Sequence, residues 1–263
     1  MSDPTAATGR LVLVPNTLDL GTTPEPIDTV LSPHALRRAA GLRHWVVESA
    51  KTARAFLKRV DALVPLATPL QALSMHELPR PRKGGTGVVS AEEWTVLLAP
   101  ALAGHDIGLL SDAGLPAVAD PGAGLVAAAH ASGLTIEPLA GASSLTLALA
   151  ASGLNGQRFA FEGYLPQNAA ERQHRVRELE QRSRREGQTQ LVIETPYRNE
   201  ALLQALCQQL QPDTRLSVAC GLTSAAGWCR TLTVAAWRRE LQAAGRAPMP
   251  DTLPAVFLWL AAG

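Results

Sequence analysis

Short apolar runs alternate with segments of helical periodicity along most of this chain. Residues 11–14, 107–110 and 135–139 are apolar stretches too short for helices, each closed by Gly, Pro, Asp or Asn or by small hydroxyl residues, the form of buried strands. Residues 45–47 give another, stopping in Glu48 and Ser49, and residues 63–75 form a strand-like region that ends in Met75-His76-Glu77. Helices are expected between them. Ser32-Pro33 opens one through Ala40 by the cap-then-proline signal, Thr52, Phe56 and Leu57 mark a second, residues 91–103 a third, and Leu125, Val126 and Ala129 a fourth. A fifth, apolar helix covers residues 145–151. The second half repeats the mixture with strands at 159–162, 190–194, 215–219 and 255–260. Its helices are at 169–185 and 202–210, with a short one around Trp237. The pattern predicts an α/β protein whose second half has its own mixed sheet. Ser152-Gly-Leu-Asn-Gly156 is the most linker-like interior stretch, so the boundary is expected near residue 155, giving an N-terminal α/β domain 1–155 and a C-terminal α/β domain 156–263.

Residues 108–122 read as a buried strand that ends at a ligand. Ser111 and Asp112 place a hydroxyl and a carboxylate at its carboxyl end, Gly114 and Pro116 turn the chain, and Asp120-Pro121-Gly122 is a second break in which Asp120 is expected to cap the following helix. The next strand runs into Gly141-Ala-Ser-Ser144, small residues and hydroxyls at a helix start, where free N–H groups are open to a ligand. These two loops are expected to be neighbours in a parallel sheet and to wall one cleft. Glu48 with Lys51 and Arg54 forms either a corner of a site or a surface ion pair, and His76 stands alone. The stretch Pro79-Arg-Pro-Arg-Lys-Gly-Gly-Thr-Gly87 cannot make core; it is either a solvated linker or a cationic loop that closes on an anionic substrate.

Composition narrows the function classes. With 263 residues, 46% of them hydrophobic, the chain can bury one large core or two modest ones, and two domains are expected. A net charge of +1 and 4% aromatic residues argue against a generally cationic or base-stacking nucleic-acid binder, so any such role is local. The helix at 169–185 holds six arginines among glutamates, with only Val176 and Leu179 as inward candidates, and reads mainly as a solvated face. Cys207, Cys220 and Cys229 lack metal or disulfide spacing and read as core thiols, so no metal is expected. The first ten residues carry no signal-peptide core and no window approaches a membrane span, which leads to the expectation of a soluble, cytoplasmic protein without a membrane partner.

Four motifs in order carry a resemblance. Ser-Asp-Ala-Gly-x-Pro-x-x-x-Asp-Pro-Gly at 111–122, Gly-x-Ser-x-Leu with Ala-Ser-Gly-Leu at 141–154, Phe-x-Phe-Glu-Gly-Tyr-Leu-Pro at 159–166 and Glu-x-Pro-x-Arg at 194–198 resemble the tetrapyrrole-methylase-like methyltransferases, as a divergent member of their ribosomal RNA branch. The resemblance implies two α/β domains with S-adenosylmethionine in the cleft between them, and a homodimer. It implies that Leu18, Asp112, Gly114, Leu115, Ser143 and Ser144 line the cofactor pocket and that Glu194 closes it from the second domain. On the substrate side, Glu48 or His76 would accept a proton while Lys51 and Arg54 bind RNA or a ribosomal subunit. The departures concern the substrate. Asn16-Thr-Leu-Asp-Leu20 stands where the ribosomal branch has Thr-Pro-x-Gly-Asn, Glu48-Ser-Ala-Lys51 where it has Glu-Asp-Thr-Arg, and the neutral Cys220-Gly-Leu-Thr-Ser-Ala-Ala-Gly227 where it carries charges. Three expectations follow: methylation of an RNA hydroxyl, methylation of a small molecule or protein side chain, and an inactive binding paralogue.

Overall fold

The computed structural model describes residues 8–19, 21, 23–79, 89–244 and 249–263. The chain forms two compact units, one from Met1–Leu20 and Pro26–Ala142, the other from Gly21–Glu25 and Ser143–Gly263. The first carries β1 (Arg10–Leu13), α1 (Pro33–Ala40), β2 (His44–Val47), α2 (Ala50–Asp61), β3 (Ser74–Glu77), α3 (Ala91–Leu102), β4 (Ile107–Leu110), α4 (Ala123–Ala131) and β5 (Thr135–Pro138). Its sheet runs β3-β2-β4-β1-β5, and every pairing is parallel. Both faces are covered, so β4 is buried at all four positions and reads as a continuous apolar run rather than an alternating one. Trp45, Phe56 and Leu57 fill one face, and Val46, Leu98, Leu109 and Leu125 the other. The Ser32 hydroxyl accepts from the Ala35 amide at 3.1 Å with Pro33 in the first turn, as the cap signal predicts.

Two expectations about this sheet are corrected. The strands β4 and β5 are not neighbours, because β1 lies between them, yet their loops meet, a Cβ on Gly114 lying 3.7 Å from the Ala142 carbonyl oxygen; the chain inserts its first strand into the middle of the sheet, which spacing along the sequence does not reveal. Only Ser74–Glu77 of the strand-like region 63–77 is a strand, since the Pro-containing segment before it forms turns and a short 3₁₀ stretch.

The second unit carries α5 (Ser144–Ser152), β6 (Phe159–Tyr164), α6 (Ala169–Glu186), β7 (Thr189–Glu194), α7 (Asn199–Gln209), β8 (Arg215–Cys220), β9 (Trp228–Thr233), α8 (Val234–Ala244) and β10 (Ala255–Leu260). Its sheet, β6-β7-β10-β8-β9, is parallel at β6-β7 and antiparallel elsewhere, the mixed sheet expected. β9 has no counterpart among the expected strands. The contacts divide the chain at Ala142/Ser143 rather than at residue 155, because α5 lays Leu145, Ala148 and Leu149 on Leu191, Val256 and Leu258 of the second sheet.

Val176 and Leu179 point inward on α6 as expected, joined by buried Glu180, whose carboxylate accepts from the Gln211 amide at 2.8 Å and from the Thr214 hydroxyl. Arg175 and Arg182 are tied to Glu162, at 2.5 and 2.9 Å, and both also reach Glu178. Much of the helix's positive charge is therefore neutralised locally. Cys207 and Cys220 are buried, and burial pushes both thiols up to about 11; all three cysteines are free. Among the described residues, no helix is long and apolar enough to cross a membrane.

Candidate functional site

The carboxyl ends of β1, β2 and β4 bring the loops at 14–19, 48–50 and 111–122 together within the first unit. Asn16, 5% exposed, holds two of them. Its side-chain amide donates to the carbonyls of Ser111 and Asp112, both at 3.0 Å, and its backbone N–H donates to the Gly114 carbonyl at 2.8 Å. The Gly114 N–H returns to the Thr17 carbonyl at 3.2 Å. The parallel ladder of β1 and β4 is thus continued beyond the strands by one amide side chain and two backbone bonds. Gly114 is left-handed, and a Cβ there would lie 3.3 Å from Leu18, so these two expected pocket residues do meet. Arg59 of α2 completes the first loop, pairing with Asp19 at 2.9 Å and donating to the Thr17 hydroxyl at 3.2 Å.

Backbone strain is concentrated in the loop after β4. Gly114, Ala117, Ala119 and Gly122 all have positive φ, and the two alanines stand at 64° and 62°. Each left-handed alanine costs on the order of 1–2 kcal/mol, and strain of this kind collects where a ligand is bound. The same geometry overturns the cap expected of Asp120. α4 starts at Ala123, its cap position is Gly122 at φ 128°, and no side chain caps it. Asp120 faces other carboxylates instead.

Glu48 accepts from the Asp112 backbone N–H at 3.1 Å, and the Asp112 carboxylate accepts from the Thr52 hydroxyl on α2. Asp120 lies close enough to both for their fields to act on it, and among the described residues it has no hydrogen-bond or ion-pair partner of its own. Burial first, then Glu48 and Asp112, push its carboxyl up to about 7. A raised carboxyl binds its proton more tightly in the folded chain than in the unfolded one. The protonated form therefore favours folding at low pH, and that contribution is lost as pH climbs from the ordinary 3.8 through about 7. Asp120→Asn is expected to raise the melting temperature more at pH 8 than at pH 5, by roughly 2–4 °C after allowing for partial solvent screening. Thermal denaturation at the two pH values checks this, and an equal shift at both would contradict it.

Ser111 is 1% exposed and its Oγ has no partner among the described residues. It is the first residue after β4, two places beyond Leu109, whose side chain is buried on the α4 side of the sheet. A Cβ on Gly122 would lie 3.0 Å from Leu109 and 3.5 Å from the Ala117 N, so the loop carrying Asp120 passes over that side.

The remaining expected residues are placed as follows. Leu115 is half-buried in the same loop. Lys51 and Arg54 are exposed on the first turns of α2; Arg54 reaches only the Ala50 carbonyl, at 3.4 Å, and neither forms an ion pair among the described residues. His76 is exposed with its Nε2 3.4 Å from Ser74, turned back along β3, and no described bond joins it to the carboxylates. Its neighbour Glu77 instead accepts from the Ala50 amide at 2.8 Å and caps α2. Residues 80–87 of the cationic stretch lie outside the described residues.

Three expected residues belong to the second unit. Ser143 is buried at the start of α5 and Ser144 is half-buried. Glu194, 7% exposed, ends β7 with its carboxylate 2.6 Å from Arg198 and accepting from the Thr195 amide at 2.8 Å. In that unit the neutral segment 220–227 is a closed turn, with the Ser224 hydroxyl on the Gly221 carbonyl at 2.7 Å and the Ala225 amide on Glu25 at 2.8 Å. Asn16, Thr52 and Asp120 were not among the expected site residues. Asn16 lay in plain view as a departure, Thr52 as a helix position and Asp120 as a cap, and only the fold brings them together.

The tetrapyrrole (corrin/porphyrin) methylase profile matches residues 43–238. The ribosomal RNA small subunit methyltransferase I of Pseudomonas aeruginosa is 35% identical over 168 residues, 64% of this chain and 52% of that protein. The protein of the same name from Synechocystis is 41% identical over 127 residues, 48% of this chain and 44% of that protein. The chain therefore spans about half the length of the relatives it matches. Among solved structures, the methyltransferase CobJ has a TM-score of 0.55 at 16% identity, covering 97% of this chain and 95% of that one. The native uroporphyrin III C-methyl transferase of Thermus thermophilus has a TM-score of 0.52 at 17% identity, covering 96% and 97%. Those likenesses concern the fold, while the profile covers the strained loop, its carboxylates and most of both sheets: the chain belongs to the tetrapyrrole (corrin/porphyrin) methylases, a family of S-adenosylmethionine-dependent methyltransferases.

Proposed function

We propose that this chain transfers a methyl group from S-adenosylmethionine to a ribosomal RNA hydroxyl, the cytidine 2′-hydroxyl being the acceptor in the branch it resembles. The observation that carries the cofactor half is the strained, stitched loop at the end of β4, with its fully buried Ser111 hydroxyl, unpartnered among the described residues, and the carboxylates of Glu48, Asp112 and Asp120. These fit a small ligand that bears positive charge and needs polar partners. Leu18, Asp112, Gly114 and Leu115 of the first unit would hold it, with Ser143, Ser144 and Glu194 of the second as its further candidate partners. When bound, S-adenosylmethionine supplies an activated methyl group on its sulfonium, so the protein's task is to orient and to exclude water.

Exposed Lys51 and Arg54, without ion pairs among the described residues and on the first turns of α2, support an anionic acceptor. The arginines of α6 paired with Glu162 and Glu178 are less available for that purpose. Glu48 remains the candidate proton acceptor beside His76. A homodimer in the cytoplasm belongs to the same reading. A second reading, a small-molecule or protein acceptor, draws on the neutral turn at 220–227, and an inactive binding paralogue is the third.

Incubation with methyl-labelled S-adenosylmethionine and either deproteinised ribosomal RNA or intact small subunits separates them. Label in RNA is expected, and its absence from both substrates despite cofactor binding turns the assignment toward the other readings. In the active case, replacing Lys51 and Arg54 together with alanine is expected to raise the KM for RNA, to flatten the salt dependence of RNA binding by roughly one to two log units per decade of salt, and to leave cofactor affinity unchanged.

A further inference from the structure

Two of the three carboxylates at the ends of β2 and β4 are anchored and one is not. Glu48 is held by the Asp112 amide at 3.1 Å and Asp112 by the Thr52 hydroxyl, whereas Asp120 has no partner among the described residues. Asp120 is delivered by a loop with four positive-φ residues, and the buried Ser111 hydroxyl at the start of that same loop also has no partner among the described residues. A carboxyl and a hydroxyl left unmatched within one strained loop mark a place completed by something other than the chain itself. Among the described residues, the charged groups acting on Asp120 are Glu48, from the end of β2, and Asp112, from the end of β4, and no cation. Lys51 and Arg54 stay exposed on α2.

Resting on the cofactor assignment above, we propose that Asp120 releases a proton to solvent when a positively charged ligand, S-adenosylmethionine, occupies this site, so that cofactor affinity is set by pH through this one residue. The O–H bond of the Asp120 carboxyl breaks, the proton passes to buffer, and the carboxylate left behind balances the ligand's positive charge. Without a ligand the carboxyl holds its proton to about pH 7, because burial and two neighbouring carboxylates oppose its charge. A cation placed beside them reverses that opposition.

The test is isothermal titration of the full chain with S-adenosylmethionine at pH 6.5, in phosphate and in imidazole, whose ionisation enthalpies differ, followed by affinities at pH 6, 7 and 8. For wild type the apparent enthalpy is expected to depend on the buffer with the slope of proton release. Affinity is expected to be about tenfold weaker at pH 6 than at pH 8. Asp120→Asn is expected to lose the difference in proton count and most of the pH dependence. Because the ligand's own amino group titrates identically with both proteins, only the difference between them is diagnostic, and equal proton counts overturn the proposal. Should the Asn variant fail to bind, the ¹³C carboxyl resonance of Asp120 in wild type decides. A midpoint near 7 that drops below 6 on ligand addition supports the proposal, and an unmoved midpoint overturns it. Binding without proton linkage removes this inference alone, whereas absence of any binding to wild type removes the cofactor assignment and the inference with it.

Discussion

Gly141→Ala is expected to weaken S-adenosylmethionine binding at least tenfold while leaving the chain folded. A Cβ at this position would fall 2.1 Å from Pro15 Cβ and 2.5 Å from its Cγ. No flexible chain end is available to swing aside, because the obstacle is a pyrrolidine ring whose φ is fixed. Overpacking of this kind costs about 1–3 kcal/mol, and the strain is relieved only by parting the loops after β1 and β5. Pro15 is covalently joined to Asn16, so moving it stretches the bonds from Asn16 to Ser111 and Asp112 on the far side. Titration calorimetry beside a thermal melt checks the result. Gly156→Ala is the control, since nothing lies within 4 Å of its added methyl and its φ lies outside the left-handed range. Unchanged affinity in Gly141→Ala would show that the loops adapt and that the site tolerates their separation.

Trp237→Ala should have the largest effect on stability. Trp237 is fully buried under the second sheet, its indole N–H donates to the Leu216 carbonyl at 2.8 Å, and the Arg230 guanidinium lies 5.7 Å from the ring centre. Truncating a buried aromatic to alanine costs about 3–5 kcal/mol, because the packing is lost and the cavity left behind closes only in part. A fall in melting temperature of roughly 10 °C is expected from the specific entropies of unfolding. The two units have separate cores, so the loss should appear by calorimetry as an earlier transition of the second unit, detaching from that of the first. Trp237→Phe keeps most of the volume and loses only the hydrogen bond, so a small shift is expected there. Equal destabilisation by both would place the stabilisation in the bond to Leu216 rather than in packing.

Much of the fold was legible because the deciding forces are local. Ser32 and Pro33 cap α1 with side chains adjacent in sequence, and residues 255–260 read as a strand because all six are apolar, the structure then placing that strand at the centre of its sheet. β9 was missed because Trp228–Thr233 mixes apolar with polar residues at a half-exposed sheet edge, where burial leaves no continuous apolar run. Strand order was misjudged at β4 and β5 because neighbourhood in a sheet is decided by crossover packing, which no local signal encodes. The apolar helix α5 could have served either core, and its contacts choose the second.

The site divides in the same way. Gly114 and Asp112 were readable because a left-handed turn and a strand-end carboxylate need those residue types. Asp120 obeyed a local cap rule that lost to the left-handed Ala117 and Ala119, residues whose conformation alanine does not advertise. Asn16 was legible only as a departure from a family pattern. Its role depends on two carbonyls some 95 positions further along the chain.

The bonding of Asn16 across β1 and β4 also bears on how binding free energy is distributed. Loops that must be ordered by their ligand lose conformational entropy at the moment of association, which lowers affinity and slows the approach. Here the loops after these two strands are secured by the same directional bonding as the sheet, so their ordering is completed when the first unit folds. Under the proposed cofactor reading, the ligand would meet a template already set, leaving the contact energy for distinguishing one ligand from another.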